Sequence, residues 1–291
     1  MTKRALHPAP PHPKHEIVDP RWLLKAGAAS LLVALLCAYA TLCFLFYQGQ
    51  WQFALHPSRT VAQTPASLGL QFESVRFGVD ATGIPQLDGW WIPAATTNAR
   101  TALVLHGADG SIADALREVA VLHDVPLNVL IFDYRGFGAS GGAHPTEQLM
   151  QADAHAALAY LLQVKTVPPS HLVVVGEGIG ASIALQLCSS SQIECPAIVL
   201  DAPDGDLLAR VRHDPRSRFI PVTLLFHNTF PLDKPLRSSP SHKLLLWYGG
   251  STPPNFFQTA SDPKLTVELP TRQSSAIEQS LWRFLDQIPG E

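Results

Sequence analysis

Residues 173–188 read VVVGEGIGASIALQLC, and this stretch decides the fold class. Three consecutive valines, residues 173–175, are typical of a strand that is buried on both faces. Gly176, Gly178 and Gly180 follow at alternate positions, and the small and apolar residues 181–187 continue as a predicted helix. A buried strand that enters a helix through a tight glycine turn is the repeating unit of an α/β sheet.

The rest of the chain repeats this unit. Apolar runs bounded by turn residues occupy residues 101–107, 128–134, 171–177, 196–202, 243–249 and 264–270. Helical patterns occupy residues 111–123, 146–163, 179–190, 204–211 and 274–287. Residues 72–78 and 87–93 precede them and have the pattern of an antiparallel pair. The order predicts one doubly wound, mostly parallel sheet of about eight strands with an antiparallel N-terminal edge.

Composition excludes several classes of protein. The chain has 291 residues, of which 46% are hydrophobic and 15% charged, so it can bury a large core and is not a disordered chain. A net charge of -3 gives no overall attraction to polyanions, and we predict no nucleic-acid partner. Four cysteines are too few for a disulfide scaffold, and we expect Cys188 and Cys195 to be free.

An uncharged apolar run, AGAASLLVALLCAYATLCFLFY, covers residues 26–47. It is long enough as a helix to cross a hydrocarbon layer of about 30 Å, so we predict a transmembrane helix whose partner is the lipid bilayer. A cleaved signal peptide is the alternative, because Ala38-Tyr39-Ala40 has the small-x-small form of a cleavage site. That triplet lies inside the apolar run and further apolar residues follow it, which favours an uncleaved anchor.

Basic residues lie almost entirely on one side of this run. Five of them precede it, namely Lys3, Arg4, Lys14, Arg21 and Lys25, and the first one after it is Arg59. This asymmetry predicts that the Pro- and His-rich tail, residues 1–25, is cytoplasmic. The main domain, residues 48–291, is then expected outside the cytoplasm, in the periplasm or the extracellular space.

Three further motifs accompany the glycine turn. They are LVLHGADGS at residues 103–111, IFDYRGFGASGG at residues 131–142, and HPTEQLMQADAHAALAYL at residues 144–161. In order and spacing the four stretches resemble the α/β-hydrolase superfamily, and most nearly its single-pass membrane branch, the Bem46-like or ABHD13-like proteins. The resemblance implies an α/β-hydrolase fold over residues 48–288 and a Ser, acid and His triad at its active site.

The triad-equivalent positions carry other residues. The resemblance places the nucleophile of a G-x-S-x-G elbow at Gly178, the acid at Thr252, and the base in residues 271–274, where we take Ser274 as its equivalent. No histidine follows His242. Glycine at 178 relieves the strain that a side chain would suffer in this turn. Without an imidazole near the elbow, no group with a pKa near neutral can take a proton from a hydroxyl. We therefore predict a degenerate nucleophile elbow in a protein without serine-hydrolase activity.

Other hydroxyls near the elbow are alternative nucleophiles. Ser182, one helical turn beyond Gly178, is the fallback, although a serine there is expected to bond the carbonyl groups of its own helix. Ser111 is expected to cap a helix that begins at residue 112, and Ser140 is expected to be a turn residue.

Carboxylates offer a second alternative chemistry. Glu177 is next to the elbow, but we expect its side chain to face away from the nucleophile position. Asp201, Asp204 and Asp206 follow a strand, where we interpret Asp201 as the strand end and Asp204 as a helix cap.

A metal site is a third alternative. The combination of His106, Asp109 and Asp133 matches no compact ligand motif, and Asp133 resembles a structural turn aspartate. We predict neither a metal nor any other cofactor.

The resemblance also implies an oxyanion loop. It comprises His106, Gly107, Ala108 and Asp109, with Ile179 at the start of the helix after the elbow. Its N–H groups predict a pocket for a small anionic ligand such as a carboxylate or phosphate. The loop is equally explained as a feature that only shapes the turn, and both interpretations stay open here.

Two functions remain. One is a membrane-anchored pseudoenzyme that binds a ligand or a protein partner which the sequence does not identify, and the other is a hydrolase of ester or amide bonds with a non-standard set of residues.

A basic cluster, Arg210, Arg212, Arg216 and Arg218, lies between the sixth and seventh strands. It is either a solvated face or a contact for anionic lipid headgroups.

Overall fold

A computed structural model describes residues 19–142, 144–190, 193, 195–204, 207–249 and 254–288 of the chain. The chain divides into two compact units, one that ends at Phe46 and one that comprises Tyr47–Glu291.

Helix α1 spans Pro20–Gly49 and contains the predicted transmembrane run. Its 30 residues extend over about 45 Å at the α-helical rise. Within the described residues it is the one helix long and apolar enough to cross a membrane. Its length and composition fit a membrane anchor and a signal sequence alike.

The second unit is built on an eight-stranded sheet. Its strands are β1 Glu73–Val79, β2 Pro85–Ile92, β3 Thr101–Leu105, β4 Asn128–Asp133, β5 Leu172–Glu177, β6 Ala197–Asp201, β7 His242–Tyr248 and β8 Lys264–Leu269. Their spatial order is β1-β2-β4-β3-β5-β6-β7-β8. Strand β2 pairs antiparallel with β1 and with β4, and all other pairs are parallel. The predicted mostly parallel sheet with an antiparallel edge is confirmed.

Helices flank this sheet. The described ones after α1 are α2 Leu116–Asp124, α3 Glu147–Gln163, α4 Gly180–Ser190, α5 Leu207–His213, α6 Val222–Leu225, α7 Asp233–Ser238, α8 Asn255–Thr259 and α9 Ser274–Leu285. The Thr146 side chain caps α3 by accepting a hydrogen bond from the Leu149 N–H. The expected helix start at residue 112 is wrong, because residues 112–115 form turns and α2 begins at Leu116.

The core explains the unbroken apolar runs. Every residue of β3 and β6 is buried, as are Leu172 to Gly176 of β5. Helices cover both faces of these central strands, so no position needs a polar side chain for solvent contact. The carboxyl ends of β3, β5 and β6 meet at one edge of the sheet, which is where ligand sites of open α/β sheets form.

A disulfide joins Cys188 and Cys195, with their Cα atoms 5.5 Å apart. The expectation that both cysteines are free is therefore wrong. Cys188 lies in the last turn of α4 and Cys195 just before β6, and the chain reversal between the two elements brings the residues within bonding reach. Their separation of only seven residues gave no spacing signal for this bond.

Candidate functional site

The nucleophile elbow keeps its backbone shape without a nucleophile. Gly178 has a φ of +54°, in the left-handed region that favours glycine. Its N–H donates to the Asp201 carbonyl at 3.0 Å, and its carbonyl accepts from the Asp204 N–H at 3.0 Å. A Cβ added at Gly178 would meet nothing closer than the Gly107 Cα at 3.9 Å. The turn therefore has space for a serine but imposes a conformational cost on it.

The flanking glycines are required for a different reason, close packing. A Cβ at Gly180 would lie 2.0 Å from the Leu105 carbonyl oxygen, and one at Gly176 would lie 2.5 Å from the Gly180 carbonyl oxygen. Strand β3, strand β5 and the first turn of α4 approach each other this closely because no side chain intervenes. The glycine pattern thus specifies the backbone of the elbow independently of catalysis.

The loop after β3 carries a buried histidine. His106 is 2% exposed and packs against the rings of Tyr134 and Phe137, with centroids 4.7 Å and 5.0 Å away. Burial lowers the pKa of His106 to about 4, so its imidazole is neutral at pH 7. Its Nδ1 lies 3.0 Å from the Gly107 carbonyl oxygen, which a neutral ring satisfies by donating from Nδ1. His106 is placed as a core residue beside the site.

A cavity of about 310 Å³ opens at the elbow. The expected loop residues line it, namely His106, Gly107, Ala108, Asp109 and Ile179, and so does Gly178. Five carboxylates also line it, namely Asp109, Asp114, Glu118, Glu177 and Asp204, against one guanidinium, Arg272. This charge balance opposes the small anionic ligand expected from the oxyanion loop.

Arg272 lies where the resemblance would place the catalytic base. It comes from the loop between β8 and α9, and its Nη1 is 2.7 Å from Glu177 Oε1 and 3.5 Å from Glu118 Oε1. Its Nη2 is 3.5 Å from Asp201 Oδ2, and its guanidinium lies over the Tyr248 ring. One arginine therefore gathers three carboxylates from β5, β6 and α2.

The charges in this cluster are coupled. Burial raises the pKa of Asp201, and the nearby Arg272 partly offsets the increase. Burial likewise raises the pKa of Glu118, and Glu177 adds to the effect by like-charge repulsion. Burial lowers the pKa of Arg272, but the carboxylates of Asp201 and Glu177 raise it by more, so the pKa lies above the usual range of an arginine. Arg272 is a fixed cation and has no proton to exchange near neutral pH.

The cluster corrects one expectation. Glu177 does not face away from the elbow, because its ion pair with Arg272 holds the carboxylate at the same cavity as Gly178. Ser274, taken as the equivalent of the base, is the exposed first residue of α9, and Arg272 is the side chain of this loop that contacts β5. Thr252, the equivalent of the acid, lies outside the described residues, as does Asp206.

The alternative nucleophiles are buried and hydrogen-bonded. Ser182 is 0% exposed; its Oγ donates to the Pro231 carbonyl at 2.8 Å and accepts from Gln186 Nε2 at 2.9 Å. Its acceptor is thus in a neighbouring segment, whereas the sequence suggested a carbonyl of its own helix. Such a hydroxyl has no access to a substrate in this conformation.

The two loop serines are engaged in turns. Ser111 Oγ donates to the Thr60 carbonyl at 3.0 Å, and Ser140 Oγ donates to the Asp133 carbonyl at 2.5 Å. Ser140 is confirmed as a turn residue. Ser111 precedes α2 by five residues and is not its cap.

Asp133 supports the loops beneath the site. Its Oδ1 accepts from the Ile112 N–H at 2.9 Å and its Oδ2 from the Ala139 N–H at 3.4 Å, in agreement with a structural turn aspartate. Burial raises the pKa of Asp133 to about 6. In the described part of the chain, no three His, Cys, Asp or Glu side chains converge as metal ligands.

The arginine-centred cluster is the part of the site that sequence reasoning missed. The sequence showed only that Arg272 follows the last strand, three residues after Leu269. Its partners, however, are 154, 95 and 71 positions away in sequence, on three other elements.

Comparisons with known proteins agree on the fold. A family model described as the alpha/beta hydrolase fold matches residues 101–289. The chain is 28% identical to the protein bem46 of Schizosaccharomyces pombe over 186 residues, which cover 60% of this chain and 59% of that protein. It is 35% identical over 119 residues to an uncharacterized protein of Mycobacterium tuberculosis, covering 40% and 41% of the two chains. The chain thus spans about half the length of the curated relatives that it matches.

A solved structure extends the likeness to most of the chain. An esterase of Pyrococcus furiosus superposes with a TM-score of 0.62 at 19% identity, covering 81% of this chain and 99% of that one. At this identity the match concerns the fold alone.

Proposed function

Because the chain belongs to the α/β-hydrolase-fold family, we propose that it is a member without serine-hydrolase activity, anchored in a membrane by α1, whose cavity binds a ligand and does not turn it over. The anchor places the domain at a bilayer, and the cavity at the carboxyl ends of β3, β5 and β6 is the binding site.

The contact that carries this proposal is the ion pair between Arg272 and Glu177. A serine hydrolase needs a hydroxyl at the elbow and an imidazole that removes its proton. Here Gly178 supplies no hydroxyl, and the side chain that reaches the elbow from the loop after β8 is a permanently charged guanidinium. Arg272 is permanently protonated and therefore cannot accept a proton from a hydroxyl.

The charge of the cavity defines the ligand class. Asp204 is paired with Arg210, and the other four carboxylates face one guanidinium, which favours a neutral or positively charged ligand over an anion. Thermal denaturation of the full chain with butylamine or butyrate tests this charge preference. We expect a higher Tm with butylamine only; a larger increase with butyrate, or none with either, would contradict the proposed binding role.

The orientation of the domain forms part of the proposal. The basic excess before residue 26 favours a cytoplasmic N-terminus. The Cys188–Cys195 disulfide supports the same orientation, because structural disulfides persist in oxidising compartments such as the periplasm or the extracellular space.

Ester hydrolysis provides the functional test. The full chain in detergent is assayed with p-nitrophenyl acetate and butyrate beside Gly178→Ser, which restores the hydroxyl alone. We expect both proteins to match the background rate, because neither has a base at the elbow. Turnover by the unmodified chain that persists through repurification would favour the alternative, a hydrolase of esters or amides with a non-standard set of residues.

A further inference from the structure

Two large apolar side chains stand in solvent on the connection between β6 and β7. Phe219 is 72% exposed and Leu224 is 71% exposed, more than any other large apolar side chain described in the unit Tyr47–Glu291. Isolated exposed apolar residues are normal on a protein surface. These two, however, lie five positions apart in a segment whose charge is also unusual.

We call residues 207–227 the Arg/Phe segment. It contains Arg210, Arg212, Arg216 and Arg218 against a single carboxylate, Asp214. Asp204 pairs with Arg210 at 2.6 Å and Asp214 with Arg216 at 2.7 Å. Among the described residues, Arg212 and Arg218 form no ion pair, and the Arg218 guanidinium lies 5.5 Å from the Phe219 ring centroid.

The segment contacts the residues that directly follow the apolar helix. Gln50 is buried; its Nε2 donates to the Leu225 carbonyl at 3.2 Å, and its Oε1 accepts from the His227 N–H at 2.6 Å. The Arg216 guanidinium lies 4.4 Å from the Phe53 ring centroid. Contacts at both ends thus hold residues 216–227 against residues 50–53.

Chain connectivity then places the segment near a membrane surface. The uncharged run ends at Tyr47, three residues before Gln50. If the run spans the hydrocarbon layer, Gln50 and Phe53 lie in the headgroup region, which is about 5–8 Å deep on each side.

We propose that the Arg/Phe segment binds the surface of an anionic lipid bilayer, with Phe219 and Leu224 entering the interface and Arg212 and Arg218 contacting lipid phosphates. The proposal rests on the membrane anchoring proposed above. Exposed apolar side chains beside unpaired cations are the combination that an anionic interface stabilises. Because α1 keeps the segment at the surface, weak individual contacts suffice for stable docking.

Photocrosslinking of the full chain in lipid vesicles tests the proposal. Phe219 is replaced by p-benzoylphenylalanine, and Trp282, a 46% exposed aromatic on α9, receives the same replacement as the matched control. Vesicles contain phosphatidylcholine alone or mixed with phosphatidylglycerol, and mass spectrometry after irradiation measures lipid adducts. Alkaline carbonate extraction of the same vesicles reports whether the chain is anchored.

We expect lipid adducts at position 219 and background yield at position 282. The yield at 219 should rise about fivefold per engaged arginine when phosphatidylglycerol is present. The double change Arg212→Gln and Arg218→Gln should remove that increase, and the exposed control Arg283→Gln should preserve it.

Three results would overturn the proposal. Background yield at position 219 in a carbonate-resistant chain would refute the docking and leave the anchor intact. Adducts to a second copy of the chain instead of to lipid would show that this surface binds another copy and not the bilayer. Extraction of the chain by carbonate would refute the anchor, and this inference with it.

Discussion

Gly178 and Gly180 lie in the same turn, and a side chain has different consequences at each. At 178 the nearest atom to an added Cβ is 3.9 Å away, so the cost is the left-handed φ alone. At 180 the added Cβ overlaps the Leu105 carbonyl oxygen at 2.0 Å. Gly178 is therefore required for its conformation, and Gly180 is required for close packing.

We predict that Gly178→Ser lowers the free energy of unfolding by about 1 kcal/mol, and that Gly180→Ser lowers it by about 3 kcal/mol or more. Urea denaturation followed by circular dichroism measures both values. Equal losses would show that the backbone around the elbow relaxes freely.

The buried His106 makes the stability of the fold depend on pH. Its pKa is lowered from 6.5 to about 4 by burial, so below pH 6.5 the unfolded chain binds a proton that the folded chain does not. The contribution of His106 to the free energy of unfolding is fully present above pH 6.5 and is lost as the pH falls toward 4. Burial raises the pKa of Asp133 to about 6, which affects stability in the opposite direction over the same pH range. The contribution of His106 is therefore measured as the difference in the free energy of unfolding between the unmodified chain and His106→Gln.

We expect the stability of the unmodified chain relative to His106→Gln to fall by about 3 kcal/mol between pH 6.5 and pH 4. Urea denaturation at several pH values gives this difference, and His155→Gln is measured alongside as the control at an exposed histidine. A pH-independent difference for His106→Gln would mean that the imidazole is solvated.

The elements themselves were largely predictable. The strands follow the apolar runs to within about two residues, because a strand buried on both faces has little choice but Val, Ile and Leu. The start of α2 was not predictable from the sequence, because Ser111 and Asp114 form a hydrogen-bonded turn that has the composition of a helix cap. The Cys188–Cys195 disulfide and the Arg272 cluster also escaped the sequence, since both depend on which elements become neighbours in space.

Arg272 joins three elements, and its removal tests what the cluster contributes. Arg272→Gln leaves Glu177, Glu118 and Asp201 close together without a cation. We expect Arg272→Gln to lower the free energy of unfolding by about 2 kcal/mol at pH 7. This is less than the cost of breaking a fully buried pair, because the Arg272 side chain is 35% exposed.

The matched control is Arg210→Gln, which breaks the more exposed pair with Asp204 and should cost about 0.5 kcal/mol. Losses of the same size at both positions, measured by urea denaturation, would show that the cluster is solvated and does not organise the site.

For the whole molecule, we predict that the domain is exported and that α1 anchors it in the membrane. Protease added to sealed spheroplasts should degrade residues 48–291 and spare an N-terminal epitope tag on the cytoplasmic side, because the basic residues precede the apolar run. A disrupted-membrane sample, in which both parts are degraded, is the control. A protected domain with a degraded tag would reverse the orientation.

Fluorophosphonate labelling tests whether this hydrolase-fold protein has an activated nucleophile. The full chain is incubated with a fluorophosphonate probe and its intact mass is compared with that of Ser182→Ala and of a catalytically active serine esterase. We predict an unchanged mass for the chain and its variant and a single covalent adduct on the esterase, because Gly178 has no hydroxyl and Ser182 is buried at 0% exposure. A stoichiometric adduct on the unmodified chain, above all one that Ser182→Ala abolishes, would contradict the account.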